Sequence, residues 1–274
     1  MRREDHTVGD IFSYKYPAQR DATYNVLLLH GIGAHGGIYE PFSTLHAGKG
    51  AHVWAMDAPG HGRSSHTRPR GQFTLGEWVE AAVRFAEHIR EENGLPVVAL
   101  GSSIGSAPAY STLYADAVDA AVLMGHGIPG AEKGFLPRQN PFKAKEVQMI
   151  AGRFGRELKL HIDLAINFDE DYGFRGAEAQ KKADPYNTWT YDFSSLVSFW
   201  TYEPKVPPSE NTKPIMVAVG AEDPMSPPAA VREVFDEIAG PTEFVEIPGP
   251  HQLLLFGTEA FSDHIHDFAL RVLK

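Results

Sequence analysis

Short runs of Val, Leu, Ile and Met alternate along this chain with longer segments that are apolar on one face only, and few folds accommodate that alternation. An uninterrupted apolar run is a strand buried on both sides, and such a strand needs helices above and below it. The expected strands are Tyr24 to Leu29, His52 to Met56, Val97 to Leu100, Ala120 to Met124, Ile215 to Val219 and Glu243 to Ile247. Leu75 to Glu92, Ser103 to Tyr114, Pro227 to Ile238 and Glu259 to Leu273 are the expected helices. In the first of these, Trp78, Ala81, Ala82, Phe85 and Ile89 recur at helical steps and make one buried face. The expected fold class is α/β, a mostly parallel twisted sheet flanked by helices.

The alternation stops between Gly127 and Pro214. That stretch is too long for a connecting loop and is rich in aromatic residues, including Phe135, Phe142, Phe154, Phe168, Tyr172, Trp189, Tyr191, Phe199 and Trp200. Ala144 to Phe154 and Leu158 to Phe168 have helical spacing. Residues 128–213 are therefore expected to form an inserted helical cap over the carboxyl ends of the strands, where open α/β sheets place their sites. Residues 1–127 and 214–274 are expected to form the core on either side of it, and most of the rings to pack within the cap itself.

Composition narrows the partners. A net charge of -10 argues against a nucleic-acid surface and against an anionic membrane. With no cysteine in the chain, there is neither a disulfide framework nor a thiolate metal site nor a cysteine nucleophile. The polar start, Met1-Arg2-Arg3-Glu4-Asp5-His6, and the absence of any run of about 18 apolar residues lead to the expectation of a soluble, cytoplasmic protein without stable membrane insertion.

Four post-strand loops carry the residues with chemistry. Gly101-Ser102-Ser103-Ile104-Gly105 lies between a strand and a helix, the setting in which a tight turn presents one hydroxyl, that of Ser103. A serine hydroxyl is a poor nucleophile until a positioned base takes its proton and a third group orients that base. After Ile215 to Val219 comes Gly220-Ala221-Glu222-Asp223-Pro224, where Asp223 is the candidate orienting acid and Glu222 its close rival. After Glu243 to Ile247 comes Pro248-Gly249-Pro250-His251, so His251, one of 13 histidines, is singled out by position. His264 and His266 fall in the last helix and are expected to be surface or helix-terminal groups. After Val26 to Leu29 the loop His30-Gly31-Ile32-Gly33-Ala34-His35-Gly36 could offer backbone NH groups to an oxyanion, with Ile32 the candidate donor beside Ile104. No G-x-x-x-x-G-K-[ST] string marks it as a phosphate cradle. A fifth loop, Asp57-Ala58-Pro59-Gly60-His61-Gly62-Arg63-Ser64, is expected to be scaffold, with Asp57 bonding local NH groups and His61 and Arg63 outside the chemistry.

With these loops in the chain order Ser, Asp, His, the sequence resembles the α/β-hydrolase superfamily from about Tyr24 to the C-terminus. The pairing of His30-Gly31-Ile32-Gly33-Ala34-His35 with Asp57-Ala58-Pro59-Gly60-His61-Gly62-Arg63-Ser64 looks most like the monoacylglycerol lipase and lysophospholipase-like branch. Where that branch has a histidine before the nucleophile, this chain has Ser102, a smaller residue expected to leave space beside Ser103. The resemblance implies that Ser103 forms an acyl-enzyme, that His251 acts as base and then acid, that Asp223 holds the imidazole, and that Ile32 and Ile104 NH groups bind the oxyanion. It implies no metal and no organic cofactor. A carboxylic ester hydrolase acting on a small-molecule ester is the first expectation. Alternatives are a carbon-carbon bond hydrolase of vinylogous diketones, with Arg153, Arg156, Lys159 or Arg175 holding a substrate carboxylate, a lactonase or thioesterase, or a non-catalytic small-molecule receptor. The expected partner is the ester alone, with a homodimer left open.

Overall fold

The computed structural model describes residues 3–125, 127–134 and 140–273, so Phe135 lies outside the described residues. Two antiparallel strands missed above, β1 (Glu4–Val8) and β2 (Ile11–Tyr16), open the chain. Then come β3 (Tyr24–Leu29), α1 (Glu40–Ala47), β4 (Ala51–Met56), α2 (Leu75–Asn93), β5 (Val97–Ser102), α3 (Ser106–Thr112) and β6 (Ala120–Met124). After the intervening segment the chain returns through β9 (Ile215–Gly220), α8 (Pro228–Phe235), β10 (Thr242–Ile247), α9 (Leu253–Phe256) and α10 (Thr258–Val272). The sheet order is β1-β2-β4-β3-β5-β6-β9-β10. From β4 to β10 every pairing is parallel, and the antiparallel hairpin forms one edge.

Side chains alternate along each strand between two apolar layers, as the pleat requires. Leu27, Leu29, Trp54, Met56, Ala99, Leu123 and Val217 face α2, α3 and α8. Val26, Leu28, Val53, Val98, Leu100, Val122 and Met216 face α1 and α10. Two buried faces explain why the central strands read as continuous apolar runs. Helix α2 starts where Thr74 accepts from Glu77 N and Glu77 reaches back to Thr74 N, a capping box, and ends at Gly94 in the left-handed region. Its Trp78, Phe85 and Ile89 are fully buried.

Between β6 and β9 lie α4 (Lys145–Phe154), α5 (Phe168–Tyr172), α6 (Ala177–Ala183) and α7 (Phe193–Thr201), with a two-stranded antiparallel ribbon of β7 (Lys159–His161) and β8 (Thr190–Asp192). The helix expected over Leu158 to Phe168 does not form. Its first part pairs as β7 and its middle is a single 3-10 turn, Ile162–Leu164, because Thr190 to Asp192 offers backbone partners that local spacing cannot anticipate. Among the described residues no helix is long and apolar enough to cross a membrane.

Candidate active site

Strand β5 ends at Ser102, and Ser103 then takes φ 53°, the only positive φ of a non-glycine residue among those described. A left-handed serine costs on the order of 1–2 kcal/mol. The flanking glycines make the turn sterically feasible. A Cβ on Gly101 would stand 2.4 Å from the Gly105 carbonyl oxygen, and one on Gly105 only 2.3 Å from that of Leu29. Ser102 is fully buried and points the other way, accepting from Tyr39 Oη at 3.2 Å while Tyr39 Oη accepts from Gly31 N at 3.3 Å. The space expected beside Ser103 is therefore not opened at position 102.

After β9 the chain turns back on itself through Asp223 N to Gly220 O, 3.1 Å. Asp223 Oδ1 accepts from Met225 N at 2.8 Å and Ser226 N at 2.7 Å, which leaves Oδ2 to accept from His251 Nδ1 at 2.6 Å. Glu222, the rival, is exposed and instead accepts from Gly249 N, bracing the loop that carries His251. Because Nδ1 donates to Asp223, the neutral imidazole keeps a lone pair on Nε2. Burial alone would depress the pKa of His251, but the hydrogen bond to Asp223 and the charge of Asp171 outweigh it and the net shift is upward. Among the described residues no hydrogen bond joins Ser103 to His251, although both line one cavity.

The loop after β3 is fixed from several sides. His30 Nδ1 donates to Gly31 O at 2.8 Å and its Nε2 accepts from Ala58 N at 3.1 Å, tying this loop to the Asp57 loop. Gly31, Gly33 and Gly36 have the spacing of a dinucleotide-binding string, but their amides are already engaged. They donate to Tyr39 Oη, to Tyr191 Oη at 2.8 Å and to Asp57 Oδ1 at 2.7 Å. Ala34 N is bonded to Gly31 O, whereas Ile32 N makes no hydrogen bond among the described residues. Ile32 and Ile104 both line the cavity beside Ser103.

His61 is scaffold, as expected. Its Nδ1 donates to Pro59 O at 3.0 Å, so its Nε2 accepts from Tyr191 Oη at 2.9 Å, and burial lowers its pKa to about 4. Asp57 Oδ2 accepts from Arg63 N at 2.7 Å. His264 is exposed, whereas His266 is half-buried and bonded through Nδ1 to Tyr24 Oη at 3.1 Å, so only the first is a plain surface group.

The cavity measures about 220 Å³ and is walled by Phe73, Ile162, Ile166, Leu196, Phe199 and Trp200, with Ser103, Asp171, Ser226, His251 and Gln252 as its polar points. None of Arg153, Arg156, Lys159 and Arg175 lines it. Arg153 and Arg156 line a separate cleft with Glu77 and Glu157, and Lys159 pairs with Asp192. Asp171, on α5, escaped the sequence reading because Asp169-Glu170-Asp171 resembles a solvated helix start. It is 5% exposed, its Oδ2 accepts from Gln252 Nε2 at 3.4 Å, and its Oδ1 stands 3.9 Å from His251 Nε2 without a hydrogen-bond partner. Burial raises its pKa against the opposing pull of His251, Gln252 and Lys181.

Lys181 on α6 is likewise buried. Its Nζ donates to Gly33 O at 2.9 Å and lies 5.0 Å from the centre of the Phe168 ring, and burial lowers its pKa to about 8. Thr188 N also donates to Gly33 O, at 3.2 Å, so one peptide unit holds the loop to the segment above it. The one grouping of potential metal donors among the described residues, His6, His88 and Glu92, lies on β1 and α2, and none of the three lines the cavity.

Residues 20–255 match the family model described as serine aminopeptidase, S33. Comparison with curated protein sequences gives no match. Among solved structures the chain is similar to a monoacylglycerol lipase of Paleococcus ferrophilus, with 23% identity, a TM-score of 0.67, and 94% of this chain and 98% of that one covered. It is similar to a thermostable carboxyl esterase of Bacillus coagulans, with 18% identity, a TM-score of 0.75, and coverage of 100% and 99%. A soluble variant of the Saccharomyces cerevisiae monoglyceride lipase gives 15% identity, a TM-score of 0.73, and coverage of 99% and 95%.

Proposed function

The chain belongs to the serine aminopeptidase, S33 family of α/β-hydrolases, and from that premise we propose that it is a serine hydrolase cleaving carboxylic esters of small to medium size through an acyl-enzyme. The observation that carries this reading is Ser103, held at φ 53° on the wall of an apolar cavity that it shares with His251, whose far nitrogen is bonded to Asp223.

In the proposed reaction Ser103 Oγ attacks the ester carbonyl as His251 Nε2 takes its proton. The carbonyl oxygen becomes an oxyanion held by the NH groups of Ile32 and Ile104. Collapse breaks the bond to the alcohol oxygen, which leaves with the proton that His251 carried. Water then gives a proton to His251 and attacks the acyl carbon. The second tetrahedral intermediate expels Ser103, which recovers the proton, and the carboxylic acid is released. Asp223 keeps Nδ1 protonated throughout, so that Nε2 is the nitrogen that exchanges protons.

The apolar walls suit an acyl chain, and the structural neighbours that are lipases and an esterase agree with an ester. Carbon-carbon cleavage has less support, because none of the cations considered for a substrate carboxylate lines the cavity. The test is hydrolysis of p-nitrophenyl butyrate beside alanyl p-nitroanilide, with labelling by a fluorophosphonate probe. The ester is expected to be the better substrate, and Ser103→Ala to lose labelling and about 10³-fold or more in kcat. Undiminished hydrolysis by Ser103→Ala would overturn the nucleophile assignment, and faster cleavage of the anilide would overturn the ester preference.

A further inference from the structure

We propose that Asp171, carried into the site on α5, is a second carboxylate for His251, standing across the ring from Asp223 and stabilising the imidazolium that forms when Ser103 gives up its proton. The inference rests on the serine-hydrolase reading above.

The geometry comes first. Asp223 Oδ2 is 2.6 Å from Nδ1 and Asp171 Oδ1 is 3.9 Å from Nε2, so each ring nitrogen has its own carboxylate neighbour. A separation of 3.9 Å is too long for a hydrogen bond. Asp171 therefore does not capture the Nε2 position, which stays available to the serine proton, but at that distance in a partly desolvated site two charges still interact strongly. Asp171 Oδ1 is also a buried carboxylate oxygen with no partner. A group in that state is costly unless positive charge develops nearby.

Charge balance points the same way. The charged groups around the imidazole are Asp223 from the loop after β9 and Asp171 from α5. Behind Asp171 stand Lys181 from α6 and the phenols of Tyr39 and Tyr172, and Asp184 acts on Lys181 from farther away. Lys181 is committed to Gly33 O. Two carboxylates face the ring, and the one ammonium behind them is shared with Asp184, so negative charge is left unmatched beside the ring and the imidazolium offsets it. The upward shift at His251 and the sensitivity of Asp171 to His251 agree with this arrangement. Asp171 is a positioning residue in this account, since it acts on the substrate only through His251.

The test is the Asp171→Asn variant, read as kcat/KM for p-nitrophenyl butyrate from pH 5 to 9 and as the ¹³C NMR titration of the His251 ring, assigned with His251→Asn. Without the second negative charge the imidazolium is less favoured. The plateau rate at pH 8 is expected to fall about tenfold while the acid limb moves to lower pH. The ratio of variant to wild-type kcat/KM is then at least about threefold higher at pH 5 than at pH 8. The NMR midpoint is expected to move the same way, and Asp171→Glu, which keeps the charge, to stay near the wild-type inflection. A purely structural role would lower the whole profile without displacing it. Parallel pH profiles, an unmoved NMR midpoint in Asp171→Asn, or an equal displacement in Asp171→Glu would overturn the proposal. Because the NMR titration needs no turnover, absence of esterase activity in the wild type would sink the ester reading while the Asp171 inference is still decided by the ring.

Discussion

Asp223 and Glu222 are adjacent in the chain and chemically alike, yet one accepts from His251 Nδ1 while the other faces solvent and accepts from Gly249 N. The difference comes from Asp223 Oδ1, whose bonds to Met225 N and Ser226 N fix the side chain in the turn. Asp223→Asn is expected to lower kcat by about 10³- to 10⁴-fold, since an amide cannot hold the imidazole in the tautomer that leaves Nε2 as acceptor. Glu222→Gln is expected to stay within about threefold of the parent. Comparable losses in the two would reverse the assignment. The sign of the pH effect follows from the upward shift at His251. The protonated ring persists to higher pH than an ordinary imidazole, so the acid limb of kcat/KM for wild type is expected to have its midpoint above 6.5, and a midpoint below 6.5 would contradict it. Position after an apolar strand run made the candidates Ser103, Asp223 and His251 legible in the sequence, and the structure brings Ser103 and His251 to one cavity and bonds His251 to Asp223. Asp171 was not, because its burial depends on the packing of α5 against the loop after β10, and its neighbours Asp169 and Glu170 give the local string a solvated character.

At the scale of elements, the strands were legible wherever both faces are covered. Val97 to Leu100 and Ile215 to Val219 have no polar residue, and each side chain has a helix to meet. The β1–β2 hairpin was not, since Glu4 to Val8 is largely exposed and gives no apolar run. The same limit applies to β7, whose three residues are all exposed and which exists through its bonds to β8. Helix α2, by contrast, announces its start. Thr74 and Glu77 exchange hydrogen bonds of 2.8 Å and 3.1 Å at the N-terminus. Thr74→Ala is expected to cost about 1 kcal/mol and to lower Tm by about 2–4 °C in a calorimetric scan. An unchanged Tm would show that the cap adds nothing to the packed helix.

For the whole molecule, the sheet delivers Ser103, Asp223 and His251 to its carboxyl edge, and the segment between β6 and β9 supplies most of the apolar wall around them. A cavity of about 220 Å³ falls below the range of about 300–1,000 Å³ in which drug-sized ligands are held. The p-nitrophenyl esters of butyrate and hexanoate are therefore expected to be cleaved faster than acetate, which leaves the walls unfilled, and faster than palmitate, which exceeds them. A rate rising steadily to palmitate would show that the wall yields to long chains.

Gly33 accepts from Lys181 and Thr188 through its carbonyl and donates to Tyr191 through its amide, and this has a practical corollary for anyone recombining hydrolases of this shape. The stretch between β6 and β9 is no interchangeable cassette. A transplant from another scaffold would have to bring its own ammonium, amide and phenol to the same spot, or the amide of Ile32 next door would lose its bearings even though no residue of the loop itself had been altered.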